Sequence, residues 1–204
     1  MSCMSEKKMK KIGLTGVMGA GKSSVIAILK ECSITVLDCD EINAKLLETG
    51  EAGYQALVAH FGDVLLDETL TLNKQSMSDL IFSDPEKRKA AEAMLHPLIK
   101  EAIQTELVKH RDESLVVVEV PLLFEVQWES FFDEIWVVAS EEAILLDRLA
   151  QQRKVSEQEA RRRLAAQMPQ QEKIAKAHVV LWNNGGMDSL KQQIYAILES
   201  FRMG

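Results

Sequence analysis

Long apolar runs are scarce in this sequence. The most apolar stretch, residues 115–124, is ten residues long and contains Glu119, whereas a helix that spans a bilayer takes about 20. Cysteine is scarcer still. Cys3, Cys32 and Cys39 cannot all pair with one another and match no zinc-ligand spacing, which predicts reduced thiols and a cytoplasmic setting. With 4 prolines and 10 glycines the chain is neither collagen-like nor largely disordered. Positive charge is in deficit: 24 Lys and Arg face 31 Asp and Glu, a net charge of −7. That balance argues against nucleic acid or a membrane as partner, while leaving room for a local basic patch. Repeats are not visible, and the opening residues are basic without the apolar run of a secretory signal. Residues 1–9 read as a frayed extension.

What is present is the composition of an ordinary globular protein. The 204 residues are 47% hydrophobic and 27% charged, enough for a single domain with a small insertion. Short β-rich runs at 11–15, 34–37, 115–120, 134–139 and 179–182 alternate with helical patterns. The middle three are near-continuous apolar runs, as in strands covered on both faces. The alternation predicts an α/β fold with a five-stranded parallel sheet and right-handed crossovers. Asp84-Pro85 predicts a helix start, and Ser156 with Glu159 forms a capping box opening a helix to about residue 168. Met187, Leu190, Ile194, Ile197, Leu198 and Phe201 fall at helical spacing and predict an amphipathic last helix. The stretch 44–97 is too long for one crossover helix, so it reads as several helices forming a lobe over the strand ends.

One motif outweighs the others. Residues 16–23, Gly-Val-Met-Gly-Ala-Gly-Lys-Ser, satisfy G-x-x-x-x-G-K-[ST] between a strand and a helix. Gly16, Gly19 and Gly21 allow a tight turn whose N–H groups converge on a phosphate. Met18, Ala20 and Ser24 complete the expected nucleotide cradle. Lys22 is placed to reach the β- and γ-phosphates, and the Ser23 hydroxyl to ligate Mg²⁺. ATP and Mg²⁺ are therefore the expected cofactors.

A phosphate loop alone does not separate a kinase from a nucleotide-dependent switch. The guanine-reading N-K-x-D is absent, since Asn73-Lys74-Gln75-Ser76 ends in the wrong residue. Two acids, Asp38 and Asp40, follow the second strand, where ligands sit in such sheets. In an extended chain they point to opposite sides, so Asp38 is expected in the magnesium water shell and Asp40 at the acceptor hydroxyl. Residues 147–163 carry six basic and three acidic groups, a net +3 in an acidic chain. That is the chemistry of a lid over a transferring phosphoryl group, with Arg148 catalytic and Arg153 on the nucleotide. Arg161, Arg162 and Arg163 point about 100° apart on a helix, so they cannot all enter one site.

Taken together the chain resembles the dephospho-CoA kinases. The resemblance runs from about residue 10 to 201. Its carriers are the loop at 13–23, Asp38-Cys39-Asp40, Leu95-His96-Pro97-Leu98-Ile99, and Val120-Pro121-Leu122-Leu123-Phe124-Glu125. Farther on come Arg148, Arg153, Ala165-Ala166-Gln167 and Asn183-Asn184-Gly185. The resemblance implies a P-loop NTPase-type core over about 10–43, 113–147 and 176–204. It also implies a helical substrate lobe over about 44–112 and a lid over about 148–175. The implied reaction moves a phosphoryl group from ATP to the ribose 3′-hydroxyl of dephospho-CoA, in a cytoplasmic monomer. Lys74, His96, Leu122 and Glu125 are the implied acceptor contacts beside Asp40, and Asn183 the adenine contact. Lys74 stands where the family often has arginine, and His178 and Trp182 where it often has acids; lysine keeps the charge but loses the bidentate fork. Nucleoside monophosphate and shikimate remain alternative acceptors, and a regulatory switch or a phosphate-loop binding module without catalysis the alternatives outside enzymes.

Overall fold

The computed structural model describes residues 9–153 and 156–203, with the side chains of all of these except 81–83, 152–153 and 202–203. The expected extension therefore lies, through residue 8, outside the described residues. The chain divides into two compact units: the described residues through Leu37 together with those from His110 onward, and Asp38–Lys109.

The first unit is built on a sheet. Strands β1 (Lys10–Thr15), β2 (Val36–Asp38), β3 (Leu115–Glu119), β4 (Glu134–Ala139) and β5 (Val179–Trp182) lie in the order β2-β3-β1-β4-β5. The registered pairs β1 with β3, β1 with β4 and β4 with β5 are all parallel. β3 and β4 are almost wholly buried, which is why they read as unbroken apolar runs. On one face Ile12, Leu14, Val117, Trp136, Val138 and Leu181 form a core with α1 (Lys22–Glu31) and α9 (Met187–Met203). α9 contributes Leu190, Ile194 and Leu198 at helical spacing, the stripe expected from the sequence. On the other face α8 (Gln170–Ala175) packs on β4, and Leu123 and Phe132 close over Gly13 of β1. The remaining helices of this unit, α6 (Glu142–Arg153) and α7 (Glu157–Ala165), pack on each other.

The second unit is helical: α2 (Cys39–Leu46), α3 (Ala52–Phe61), α4 (Lys74–Ser83) and α5 (Pro85–Lys109). α5 is the axis. Ala91, Leu95, Ile99, Ile103 and Leu107, each four residues on, make one buried stripe that α2, α3 and α4 share. Asp84 caps α5 by accepting from Glu86 N at 2.9 Å, as the Asp-Pro signal predicts. Pro97 sits inside α5 and removes one helical N–H.

Candidate active site

The loop between β1 and α1 is shaped by its glycines. Gly21 takes φ 92° as the residue before α1, and a Cβ there would collide with the Asn183 amide. A Cβ on Gly16 would come within 2.5 Å of the Val138 carbonyl oxygen. Both must therefore be glycine if the loop is to lie this close to the strand ends. Lys22 Nζ reaches back over the loop, donating to Gly16 O at 3.1 Å and lying 4.0 Å from Glu119 Oε1. Ser23 follows it and is exposed. Glu119, at the carboxyl end of β3, is thus the acid beside the phosphate-loop lysine.

A polar scaffold braces the loop from beneath. Asn183 is buried and donates from Nδ2 to Ala20 O at 2.9 Å. The wholly buried Ser140 hydroxyl lies 2.9 Å from Asn183 O and 3.3 Å from Ala20 O. Arg148 donates to Ser140 Oγ at 3.1 Å, to Asn183 O at 2.9 Å, and to Gly19 O and Ala20 O at 3.4 Å. From the far side Gln167 Oε1 accepts from Met18 N at 2.9 Å. Gln170 makes a two-way pair with the Ser140 backbone, at 3.1 and 2.8 Å.

Next to this scaffold lies the segment after β3. Thr15 Oγ1 donates to Pro121 O at 3.1 Å, and Leu122 is 37% exposed beside it. Glu125 accepts from Lys173 Nζ at 2.7 and 2.9 Å and from Met168 N at 3.0 Å. Lys173 is fully buried, so the carboxylate is its compensating charge. Burial alone would raise the Glu125 carboxyl, but the hydrogen bonds from Lys173 and Met168 outweigh it and hold it below its ordinary value.

In the helical unit, Asp38 is the cap of α2: its Oδ1 accepts from Asp40 N at 2.8 Å and from Glu41 N at 3.1 Å. Asp40 stands in the first helical turn. Asp40 and Lys74 line one cavity of about 440 Å³, walled by Ala44, Leu47, Leu72 and Met77. Lys74 is exposed at the start of α4, where Asn73 caps the helix. His96 is half-buried in α5. Burial lowers its imidazole pKa, Lys100 adds to that and Glu92 opposes it, so the ring is mostly neutral near pH 7.

Comparison with known proteins gives the family. The sequence profile of the dephospho-CoA kinase family matches residues 10–189. The dephospho-CoA kinase of Shouchella clausii is 35% identical over 190 residues, 92% of this chain and 96% of its own. The chain belongs to the dephospho-CoA kinase family. Among solved structures, the protein TT1252 of Thermus thermophilus is similar to this kinase with a TM-score of 0.81 at 33% identity, covering 94% of this chain and 97% of that one. Dephospho-CoA kinase from Campylobacter jejuni shares the fold, with a TM-score of 0.69 at 23% identity over 93% of this chain and 96% of its own.

Several expectations for this kinase need restating. Asp38 and Asp40 do not lie in one extended run with opposite directions; Asp38 ends β2 and Asp40 is already helical. Asn183 turns its amide to the loop carbonyl at Ala20, and Arg148 gives its guanidinium to carbonyls beneath the loop. Glu125 faces Lys173. Arg161, Arg162 and Arg163 form ion pairs with Glu142, Glu157 and Glu159 on and beside α7. The expected role of Arg153 lies outside the described side chains. Sequence reasoning gave no role to Glu119, Ser140 or Lys173. Glu119 carried a signal, an acid ending an apolar strand next to the phosphate-loop strand. Ser140 and Lys173 carried none, because what marks them is a partner far along the chain.

Proposed function

We propose that this site transfers the γ-phosphoryl group of ATP to the ribose 3′-hydroxyl of dephospho-CoA, giving coenzyme A. The observation that carries the reading is the phosphate loop, with Lys22 held between Gly16 O and Glu119, in a chain matched by the kinase family over residues 10–189.

The roles follow from each residue's surroundings. Lys22 leaves its apo partners for the β- and γ-phosphates, and the loop N–H groups of residues 18–24 take the phosphate oxygens. The exposed Ser23 hydroxyl and the Glu119 carboxylate are hard oxygen donors of the kind Mg²⁺ takes, the rest of its shell being phosphate and water. Bound there, Mg²⁺ would neutralise charge on the β- and γ-oxygens. Asp38 has one oxygen engaged in the helix cap, so we assign the metal role to Glu119 in its place. Arg148 and Asn183 act as positioning residues that fix the carbonyl side of the loop. Asp40 receives the acceptor hydroxyl, holding it in line and accepting its proton late. Lys74, in the same cavity as Asp40, takes acceptor phosphate as a point charge. Leu122 supplies an apolar contact, and the neutral His96 a hydrogen bond rather than a cation. We further propose a cytoplasmic monomer; among the described residues no helix is long and apolar enough to cross a membrane.

A panel of acceptors tests the reading. Purified protein with ATP and Mg²⁺ is offered dephospho-CoA, AMP or shikimate, and the products are examined by mass and phosphorus NMR. The expected result is a new 3′-phosphomonoester on dephospho-CoA alone. Comparable transfer to AMP or shikimate would reassign the acceptor.

A further inference from the structure

The cavity that holds Asp40 and Lys74 contains an unexplained atom. Asn43 Oδ1 is buried without a hydrogen-bond partner, and its side chain lines the same cavity of about 440 Å³. Buried acceptors are paired in the great majority of folded proteins, so an unpaired oxygen on a residue that lines a cavity is an acceptor for what enters that cavity. Asn43 follows Asp40 by three residues on α2, and residues at that spacing share a helix face with Cβ atoms roughly 5–6 Å apart. Whatever donates to Asn43 must therefore sit next to whatever Asp40 orients.

Other groups on the cavity wall do not supply that donor. Thr71 Oγ1 is held by Asp67 at 2.6 Å. Leu47, Leu72 and Met77 are apolar, Glu48 is another acceptor, and Thr49 and Lys74 carry donors that make no hydrogen bond to Asn43 Oδ1. The acceptor substrate is the source of a donor that the reading above brings beside Asp40. If Asp40 holds a ribose 3′-hydroxyl, the neighbouring donor on the same face of the sugar is the 2′-hydroxyl. The base and the phosphates lie farther along the molecule, and the phosphates donate nothing.

We propose that Asn43 accepts a hydrogen bond from the ribose 2′-hydroxyl of the acceptor, making it the residue that selects ribose over 2′-deoxyribose. This rests on the reading of Asp40 given above. A site built to hydrogen-bond a hydroxyl rejects the analogue that lacks it, because the acceptor is then left buried and unpaired.

The test compares kcat/KM for dephospho-CoA and its 2′-deoxy analogue in the wild type, Asn43→Ala and Asn43→Leu, with Tm measured for each. Leucine keeps the shape of asparagine and removes the acceptor. The wild type is expected to favour the ribose substrate by about 10- to 100-fold, the loss from leaving one buried acceptor unmade. Both variants should bring the two substrates within about 3-fold of each other, at a Tm equal to or above the wild type. A wild type that treats the substrates alike, or variants that keep the preference, would overturn the inference. So would a lowered Tm with an equal loss on both substrates, which would make Asn43 a support of α2. If the wild type transfers nothing to dephospho-CoA, the functional reading itself falls, and this inference with it.

Discussion

In the proposed reading Lys22 and Asp40 carry the chemistry, and each can be tested by one substitution. Lys22 is half-buried and makes its contacts across the loop, not into the core, so Lys22→Ala should fold normally. Its kcat should collapse, because the cation at the β- and γ-phosphates is gone. A folded Lys22→Ala with substantial turnover would remove the loop from the mechanism. For Asp40→Asn, loss of the proton acceptor should lower kcat by about 10²–10⁴-fold with a smaller change in acceptor KM. Asp38→Asn should behave differently, since asparagine caps helices as well as aspartate does. It should keep its stability and show no special magnesium dependence, whereas Asp38→Ala should lose about 0.5–2 kcal/mol. A magnesium-dependent defect in Asp38→Asn would return that residue to the metal shell. Both acids were readable from the sequence as a pair after a strand, but their local geometry was misread. The signal was there: Asp38 with Glu41 three residues on, and acids in the first turn, is how a helix starts.

At the scale of elements, the join between the segment after β3 and α8 is the feature with most at stake. Glu125 and the fully buried Lys173 tie residues 121–125 to α8, and Met168, just before that helix, adds its N–H. Removing one partner of a buried pair leaves an uncompensated charge, so Glu125→Gln should cost roughly 3 kcal/mol by urea unfolding. That is the lower end of the range, because Glu125 is 23% exposed. Glu125→Gln combined with Lys173→Met should recover most of the loss; failure of the double variant to recover would show that the pair is not the cause. The pH dependence has a definite sign. The folded carboxyl titrates below its unfolded value of about 4.3, so its contribution is present above that pH and lost as pH falls through the folded value. The double variant should therefore flatten the acid side of the Tm profile below about pH 4. None of this was legible locally, because lysine in a short polar helix reads as surface. The Ser156 cap was legible, with Ser156 Oγ accepting from Glu159 N at 3.2 Å. The end of that helix was not: α7 stops at Ala165, short of the expected 168, leaving Gln167 and Met168 to bond Met18 N–H and Glu125. The adjacent arginines form exposed ion pairs, which contribute little to stability.

At the scale of the whole molecule, the alternation of buried strands with helices was enough to anticipate a five-stranded parallel sheet, since apolar runs this short have few other uses. The long stretch after the second strand resolves into four helices, α2 to α5, as its length implied. The compact helical unit begins at Asp38, whereas a lobe from about 44 was expected, because the cap at Asp38 starts α2 as soon as β2 ends. What sequence could not reach is which polar side chains bond to the protein's own backbone. Asn183 and Arg148 hold backbone carbonyls of the phosphate loop, a use set by tertiary position. The central claim is that a phosphoryl group passes from ATP to one acceptor. Its most direct test is ADP formation by the purified protein with and without dephospho-CoA. Turnover should be slow with ATP alone and strongly stimulated by dephospho-CoA, with one coenzyme A formed per ADP, all abolished by Lys22→Ala. ADP formation indifferent to dephospho-CoA, or stimulated without coenzyme A appearing, would contradict it.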